Sequence, residues 1–336
     1  MHRLCEDALS ETPGTARRIP ISEPRTVAEL GEFGLIRRLT QGLGQPASTL
    51  VGPGDDAAVL ACPDGRVVAS TDLLLEHRHF RRDWSTANDI GRKAAARNFA
   101  DVVAMGARPT GLLVGLATPG ELELSWLDGL LAGFAEECAE VGAGIVGGDV
   151  SEAPLIVLAV TALGELTGRS PVLLSGARPG QQVAVAGRLG WAAAGFAVLS
   201  RGFRSPVQVA NAHRRPEPPY AEGVRAAELG ATAMTDVSDG LVADLGHIAE
   251  ASGVRIELSR DALQPAAKLR DVASALNADP MNWVLGGGDD YALVATFDPD
   301  VRLPEPWQPI GRVVEGSGVR VDGLRWNDGG HEHFRG

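Results

Sequence analysis

Hydrophobic and polar positions follow two different periods along the first half of the chain. Apolar residues three and four positions apart predict amphipathic helices over 30–39, 90–105 and 123–141. Continuous apolar runs predict buried strands over 66–75, 110–117 and 155–164. Strands that alternate with helices in this way indicate a layered α/β or mixed α+β domain.

The second half repeats this alternation with shorter segments. Apolar runs predict strands over 182–186, 254–258, 291–297 and 310–314, and periodic segments predict helices over 191–199 and 222–229. A further helix is predicted to begin after Ser238 and Asp239, which resemble an N-cap, and to run to about Ala251. The proline-rich stretch 205–220 predicts an ordered connection.

Turn-forming residues separate the two halves. Glycine, proline and serine are concentrated over 168–180, which predicts a junction between a domain at 26–167 and a domain at 168–336. Residues 1–25 mix charges with several prolines and lack the apolar segment of a signal peptide, so they are expected to form a disordered extension. No apolar run reaches the ~18 residues that a membrane span needs.

Composition narrows the classes of partner and the compartment. With 44% hydrophobic and 22% charged residues, the 336-residue chain has the balance of a globular protein. Its formal net charge of −12 argues against nucleic acid or an anionic membrane as the main partner. Cys5, Cys62 and Cys138 are odd in number, widely separated and form no CxxC motif, so we expect reduced thiols in a cytoplasmic protein.

Aspartates recur at six places, four of them with an adjacent glycine and several at the ends of apolar runs. Glycine lets the backbone turn sharply and lets a ligand approach the main chain closely. Hard oxygen ligands from several loops suit Mg²⁺, which commonly holds substrate phosphates. A single such aspartate is usually a turn or a helix cap, but the repetition favours a metal-assisted polyphosphate site. The residues are Asp55, Asp56, Asp72, Asp101, Asp149, Asp236, Asp239, Asp289 and Asp290.

Several other kinds of site are excluded or disfavoured. The chain contains no GxxxxGK[ST] motif, which excludes a P-loop kinase. A GxGxxG string begins at Gly142, but it follows a predicted helix, whereas the dinucleotide fingerprint follows a strand. No GxSxG or HExxH motif is present.

Two pairs of histidines have the spacing of ligands on one face of a strand. His77 and His79 form one pair, and His331 and His333 form the other. Because closed metal sites need more ligands than two, ordinary surface or hydrogen-bonded histidines are the favoured interpretation of each pair.

An ordered series of motifs carries a resemblance to a known family. The segments GPGDDAAV, ASTDLL, RKAAARNFADVVAMGARP, GAGIVGGD, HRRPEPPY, TDVSDGLVADLGHIAEASG and GGGDDYAL occur in this order between about Glu29 and the C-terminus. Together they resemble the thiamine-monophosphate kinases, which belong to the superfamily of aminoimidazole ribonucleotide synthetase and selenophosphate synthetase.

The resemblance implies a fold, an activity and partners. The fold would be the two-domain α/β fold of the aminoimidazole ribonucleotide synthetase-like superfamily, with a mixed-sheet N-terminal domain and a layered C-terminal domain. The N-terminal domain would bind ATP with several Mg²⁺ ions and form a homodimer, and the C-terminal domain would complete the active site. The reaction would convert ATP and thiamine phosphate into ADP and thiamine diphosphate.

Site residues follow from the resemblance position by position. Gly148, Asp149 and Ser238 match contacts to ATP. His79, Asp289 and His331 match contacts to the substrate. The positions that match the magnesium ligands of the family are Asp56, Ser70, Thr71, Asp72, Asp101, Asp149, Asp236 and Asp239.

The chemistry agrees with the lack of a catalytic histidine or cysteine motif. The acceptor is itself an ionised phosphate, so it needs no strong general base. The site must instead overcome repulsion between polyanions, and two unit charges ~4 Å apart repel by about 4 kcal/mol at an effective dielectric of 20. Metal ions cancel this repulsion, so we expect direct in-line transfer without a phosphoenzyme.

Three departures from the family pattern leave the identity of the phosphoryl acceptor undecided. Leu174 stands where the family has an arginine that contacts ATP, Asp289 stands for a glutamate, and His331 stands for an aromatic residue that stacks on thiamine. One alternative is a sister ATP-using enzyme with a different acceptor, although no cysteine lies in the glycine-rich loop that selenide chemistry would need. The other is a nucleotide-binding paralogue without activity, although such a protein should have lost metal ligands.

Overall fold

The structure, a computed structural model, describes residues 24–54 and 57–322. The helices within these ranges are α1 Val27–Leu30, α2 Glu32–Thr40, α3 Ala87–Ala104, α4 Leu124–Val141, α5 Trp191–Ser200, α6 Val207–Arg214, α7 Tyr220–Glu228, α8 Leu241–Ser252, α9 Ala267–Leu276 and α10 Pro280–Gly286. The strands are β1 Thr49–Val51, β2 Val59–Leu60, β3 Val68–Leu75, β4 Arg108–Thr118, β5 Ile145–Glu152, β6 Val157–Glu165, β7 Gln182–Ala186, β8 Ala233–Asp236, β9 Arg255–Leu258, β10 Leu293–Phe297, β11 Gln308–Val314 and β12 Gly318–Val321.

The first half builds a four-stranded sheet with the order β3-β6-β4-β5. Helices α3 and α4 cover one face, where Leu74, Leu112 and Leu158 are fully buried. Successive residues of a strand point to opposite faces, so Leu73 and Leu113 lie on the other face, where they are 54% and 37% exposed. This open face therefore presents apolar side chains to solvent.

The second half builds a six-stranded sheet with the order β12-β9-β11-β7-β10-β8. Both of its faces are buried, as the alternation along β7 shows. Val183 and Val185 pack in the core that includes α8 and α10, whereas Ala184 and Ala186 pack in the core that includes α7 and the end of α3. Strands that are buried on both faces have the continuous apolar sequence that predicted them.

Helix α3 belongs to the first half but also contacts the second. It packs against β3 and β6 of its own sheet and also contacts β8 and α7. A capping box of Thr86 and Asp89 starts the helix, and Arg215 pairs with Asp89 at 3.0 Å from the second half. Side chains on this side of α3 therefore face the end of β8.

The mixed α/β architecture confirms the predicted fold class, with several local differences. The connection predicted over 205–220 contains helix α6, and the short elements α9, α10, β5, β8 and β12 were not predicted. The predicted N-cap of α8 is wrong, since the N-cap is Gly240 and no side-chain hydrogen bond caps it. Instead the Asp244 carboxylate, inside the helix, accepts hydrogen bonds from the N–H groups of Asp239 and Gly240 at 3.1 and 3.0 Å.

Candidate active site

A charged stripe on α3 forms one wall of the candidate site. Lys93, Arg97 and Asp101 follow one another at intervals of four residues, so they lie on one side of a helix that is otherwise rich in alanine and valine. Lys93 is almost completely buried. Each member of the stripe contacts a residue that the sequence predicted to belong to the site.

The acidic cluster combines residues of both halves of the chain. Ser70 Oγ donates a hydrogen bond to Asp101 Oδ2 at 2.5 Å, and the Asp72 N–H donates to Asn98 Oδ1 at 3.1 Å. Asp236, at the end of β8, lies close enough to Asp101 for each charge to affect the other. The structure therefore brings Ser70, Asp72, Asp101 and Asp236 together.

Burial and mutual repulsion make this cluster unfavourable when it is fully ionised. Burial, together with the charge of Asp72, raises the pKa of Asp101 to about 6 despite the hydrogen bond from Ser70. Burial, followed by the charges of Asp101 and Asp244, raises the pKa of Asp236 well above its usual value. Asp236 Oδ2 is buried and has no hydrogen-bond partner among the described residues. A bound cation would satisfy a buried acceptor of this kind.

The donor set fits magnesium. Asp72, Asp101 and Asp236 offer carboxylate oxygens and Ser70 offers a hydroxyl, which are the hard ligands that Mg²⁺ takes. Divalent charge would relieve the repulsion between the three carboxylates and satisfy the open oxygen of Asp236.

Lys93 and Arg97 each neutralise one carboxylate at the site. Arg97 binds Asp72 through two nitrogens, with Nε 2.7 Å from Oδ2 and Nη2 3.3 Å from Oδ1. Lys93 Nζ lies 2.8 Å from Asp289 Oδ2, and the Tyr291 hydroxyl donates to Asp289 Oδ1 at 2.9 Å. Burial opposes ionisation of Asp289, but the charges of its neighbours, with Lys93 foremost, and the hydrogen bond from Lys93 together outweigh burial and hold the pKa of that carboxyl below its usual range.

The loop that carries Asp289 has a strained backbone. Asp289 and Tyr291 have φ values of 63° and 52°, in the left-handed region that bulky residues rarely enter. Backbone hydrogen bonds of 2.9 Å from Asp289 N–H to Ser238 O and from Tyr291 N–H to Val237 O hold the loop in place. Such conformations persist where surrounding contacts enforce them, and they cluster at functional sites.

Glycines at the site serve contacts within the protein. A Cβ at Gly288 would overlap the carbonyl oxygen of Ser238, and a Cβ at Gly148 would overlap that of Val114. The sequence suggested that these glycines admit a ligand, whereas the structure shows that neighbouring main chain fills the space. Gly288 thereby fixes the distance between the loops of Asp289 and Ser238.

The second aspartate of the GGGDDY motif is a structural residue. Both oxygens of the buried Asp290 accept backbone hydrogen bonds at the start of α5, from Gly190 at 2.5 Å and from Ala192 at 2.8 Å. The carboxylate therefore supplies the helix cap that Gly190 lacks.

Three predicted site residues lie away from this cluster in a single chain. Gly148 and Asp149 are on β5, at the opposite edge of the sheet from β3. Three strand spacings of about 4.8 Å separate Asp149 from Asp72 by on the order of 14 Å. Thr71 points to the open face, where its hydroxyl donates to Val160 O and accepts from Thr161 Oγ1, both at 3.0 Å.

The remaining predicted residues have other surroundings or lie outside the described ranges. Asp239 forms a second group with Asp244 and His247, in which one ligand atom of each lies within 4.8 Å of the others. His79 follows β3 in a turn, and its Nδ1 accepts a hydrogen bond from Leu75 N–H at 3.0 Å. Asp56 and His331 lie outside the described residues, so their contacts stay predictions.

Sequence reasoning missed the cations of α3. Lys93 and Arg97 stand in the RKAAARNFAD segment that carried the resemblance, but only Asp101 of that segment was predicted to belong to the site. Their spacing to Asp101 was the available signal, because three charges at intervals of four residues rarely occupy the packed side of an alanine-rich helix.

Comparison with known proteins assigns the family. The family models "AIR synthase related protein, N-terminal domain" and "AIR synthase related protein, C-terminal domain" match residues 54–166 and 178–323. A thiamine-monophosphate kinase of Mycobacterium tuberculosis is 51% identical over 307 residues, which cover 91% of this chain and 92% of that protein. The chain belongs to the thiamine-monophosphate kinase family. The resemblance found in the motifs is thereby confirmed.

Further relatives agree with this assignment. The thiamine-monophosphate kinase of Corynebacterium glutamicum is 41% identical over 298 residues, covering 86% of this chain and 88% of that protein. The solved structure of AaThiL complexed with AMPPCP and TMP superposes with a TM-score of 0.76 at 34% identity, covering 93% of this chain and all of that chain. The two-domain fold expected of the family is therefore confirmed.

Leu174, the predicted departure from the family pattern, lies at a surface position. It is 40% exposed, and its backbone carbonyl accepts a hydrogen bond from Ser252 Oγ at 2.9 Å. The neighbouring Leu173 carbonyl accepts from Met234 N–H of β8, so this segment runs beside the strand that carries Asp236. Arg169, a cation five residues earlier in the chain, lies 3.8 Å from Glu228 on α7.

Restoring the cation at this position should strengthen ATP binding. We expect Leu174→Arg to lower the KM for ATP about five-fold with little change in kcat, because one exposed charge–phosphate contact contributes about 1 kcal/mol. Steady-state kinetics at saturating thiamine phosphate measures the change. Leu173→Arg, at the adjacent exposed position, is the control. Equal effects of both substitutions would mean that net charge, rather than a phosphate contact at residue 174, changes the KM.

Proposed function

We propose that the protein transfers the γ-phosphoryl group of ATP to thiamine phosphate, forming ADP and thiamine diphosphate. The observation that supports this most strongly is the convergence of Asp72 and Asp101 with Asp236, which comes from the other domain. The chain is also similar over nine-tenths of its length to proteins named for this reaction.

The residues of the site act by binding and orientation. Asp72, Asp101, Asp236 and Ser70 would hold magnesium, with Asp56 as a further predicted ligand. The magnesium held by these residues would supply positive charge that neutralises the phosphates and the charge that develops during transfer. Lys93 fixes Asp289, a predicted contact of the substrate, through an ion pair that is buried on the lysine side. Because the acceptor phosphate is already ionised, no side chain has to remove a proton from it. The phosphoryl group would then pass directly from ATP to the acceptor by in-line transfer.

We further propose that the protein works as a homodimer. The open face of the N-terminal sheet carries the exposed Leu73 and Leu113, and an apolar sheet face of this kind is normally covered. Strands β3 and β5 each have one edge without a paired strand in the described part of the chain, and such edges pair readily with another chain.

A dimer would also explain the position of Asp149. In a two-fold arrangement that places β5 of each copy beside β3 of the other, both sheets close on each other. Asp149 of the partner subunit would then approach Thr71 and Asp72, which a single chain keeps on the order of 14 Å from its own Asp149. The predicted ligand set would therefore be assembled across the interface.

The described cysteines support a reducing compartment such as the cytoplasm. Cys62 is exposed and Cys138 is buried, and neither forms a disulfide. Burial raises the pKa of the Cys138 thiol to about 12, so this thiol is unreactive. Within the described ranges no helix has both the length and the apolar character needed to cross a membrane.

The activity can be tested directly with purified protein. Incubation with Mg·ATP and thiamine phosphate should yield thiamine diphosphate and ADP in equal amounts by mass spectrometry, and EDTA should stop the reaction. With γ-³²P-ATP alone, an acid-quenched sample should retain no label on the protein, since transfer is direct. ADP formation without thiamine diphosphate would indicate a different acceptor. ATP binding without turnover would indicate the inactive paralogue.

A further inference from the structure

The Arg97–Asp72 pair has a feature that the proposed function does not explain. The guanidinium uses two nitrogens on the two oxygens of Asp72, at 2.7 and 3.3 Å. Arg97 is 16% exposed and Asp72 is 26% exposed, so the pair is shielded from solvent and screened less than a surface ion pair. Both carboxylate oxygens of a candidate metal ligand therefore already accept a hydrogen bond from a cation of the same protein.

A metal ion and this guanidinium compete for the same oxygens. A magnesium ion sits about 2.1 Å from its carboxylate ligand, which is closer than either nitrogen of Arg97. Two cations cannot both approach Asp72 from the direction of its lone pairs without strong repulsion. Because the two cations repel each other, binding of a metal through Asp72 favours the loss of at least one of the two Arg97 contacts.

We propose that Arg97 is a stand-in cation, which neutralises Asp72 in the metal-free protein and moves to a phosphate of the bound nucleotide when metal replaces it. This rests on the proposed function, in which Asp72 holds metal. Arg97 thereby keeps the acidic cluster from accumulating charge before the substrates arrive. It also supplies a phosphate contact in a chain that has Leu174 at the arginine position of the family.

The surroundings of Arg97 favour such an exchange. Lys93, one turn earlier, is 3% exposed and is already paired with Asp289, so its partner does not have to change. Arg97 lies between Asp72 and the Asp289–Tyr291 loop, whose charges also act on it. A phosphate that shares a metal with Asp72 would lie beside the position that the guanidinium already occupies. In the proposed exchange Arg97 reaches such a phosphate by a movement of its side chain.

Metal binding without nucleotide provides a test that requires no turnover. Mn²⁺ binding to the nucleotide-free protein is measured by electron paramagnetic resonance for the wild type, Arg97→Met and Arg97→Lys. We expect Arg97→Met to lower the Kd for Mn²⁺ about five-fold or more, because a competing positive charge is removed from the ligand. Arg97→Lys should give a smaller decrease, since an ammonium makes one contact where the guanidinium makes two.

The proposed movement of Arg97 to a phosphate predicts that removal of Arg97 weakens nucleotide binding, whereas it strengthens metal binding. At saturating Mn²⁺, Arg97→Met should raise the Kd for a non-hydrolysable ATP analogue about ten-fold, and Arg97→Lys should recover part of the loss. Arg108→Met is the matched control, because Arg108 also pairs with a carboxylate, Glu165, on the N-terminal domain but makes no contact with the cluster. It should change neither constant.

Two results would overturn the proposal. If Arg97→Met binds Mn²⁺ no more tightly than the wild type, Arg97 does not compete with metal and is a structural partner of Asp72. If Mn²⁺ binding tightens but the affinity for the analogue is unchanged, Arg97 does not move to phosphate. Failure of the proposed function is separate, since a protein that makes no thiamine diphosphate would still give the metal titration. Thermal unfolding of each variant confirms that it is folded.

Discussion

Asp236→Asn should lower kcat by on the order of 10³-fold while leaving the metal-free protein at least as stable as the wild type. The loss of activity follows from the removal of a negatively charged oxygen ligand at a buried position. Asparagine has nearly the same shape and keeps one oxygen acceptor, so packing around the end of β8 should be preserved. The variant separates the functional contribution of the carboxylate from any contribution to the fold.

The effect on stability follows from the sign of the pKa shift. Burial raises the pKa of Asp236 in the folded protein, so above the unfolded value of about 3.9 the ionised carboxylate costs folding free energy. Asparagine removes this cost at neutral pH, and the gain should disappear as the pH falls toward 4. Magnesium with ATP should raise the Tm of the wild type, which holds the ligand, but should have little effect on the variant.

Thermal unfolding in EDTA and with Mg·ATP, together with steady-state kinetics, provides the measurements. Asp300→Asn, at an exposed position that also loses one carboxylate, controls for the change in net charge. A kcat close to that of the wild type would show that Asp236 holds no essential metal. A Tm several degrees lower in EDTA would show that the carboxylate stabilises the fold.

The long elements of the fold could be predicted from the sequence because their patterns extend over several turns or a whole strand. Helices α3 and α4 have 18 residues each, and their apolar stripes were visible. Helix α9 buries only Leu269, Val272 and Ala273. So few apolar positions give a weak signal, and packing against the α5 side of the domain stabilises this helix.

The sequence could predict the part of the candidate site that comes from elements adjacent in the chain, but not the contacts that depend on strand order or domain packing. Ser70, Asp72 and Asp101 come together because β3 and α3 are neighbours in the sequence and pack directly. The separation of Asp149 from Asp72 depends on the strand order β3-β6-β4-β5, which no local pattern encodes. The contact of Asp289 with Lys93 joins residues 196 positions apart. Such contacts are set by the packing of the two domains against each other.

A heterodimer of two inactive variants, Asp72→Asn and Asp149→Asn, should recover about half of the wild-type activity. Each variant alone should be nearly inactive, since each homodimer lacks one predicted ligand at both sites. In the heterodimer one composite site contains both substitutions, whereas the other combines an intact Asp72 with an intact Asp149 of the partner subunit. If both residues acted within one chain, neither site of the heterodimer would be complete and no activity would return.

The design of this experiment excludes simpler sources of recovery. Co-expression with two different affinity tags and sequential purification isolates the heterodimer from both homodimers. A heterodimer of Asp72→Asn with Asp101→Asn is the control, because the structure places these two residues together within one chain. This control should stay inactive, since each chain then lacks one predicted ligand in its own site. Recovery in both pairs would point to residual activity of the single variants, and recovery in neither would contradict a site shared between two copies.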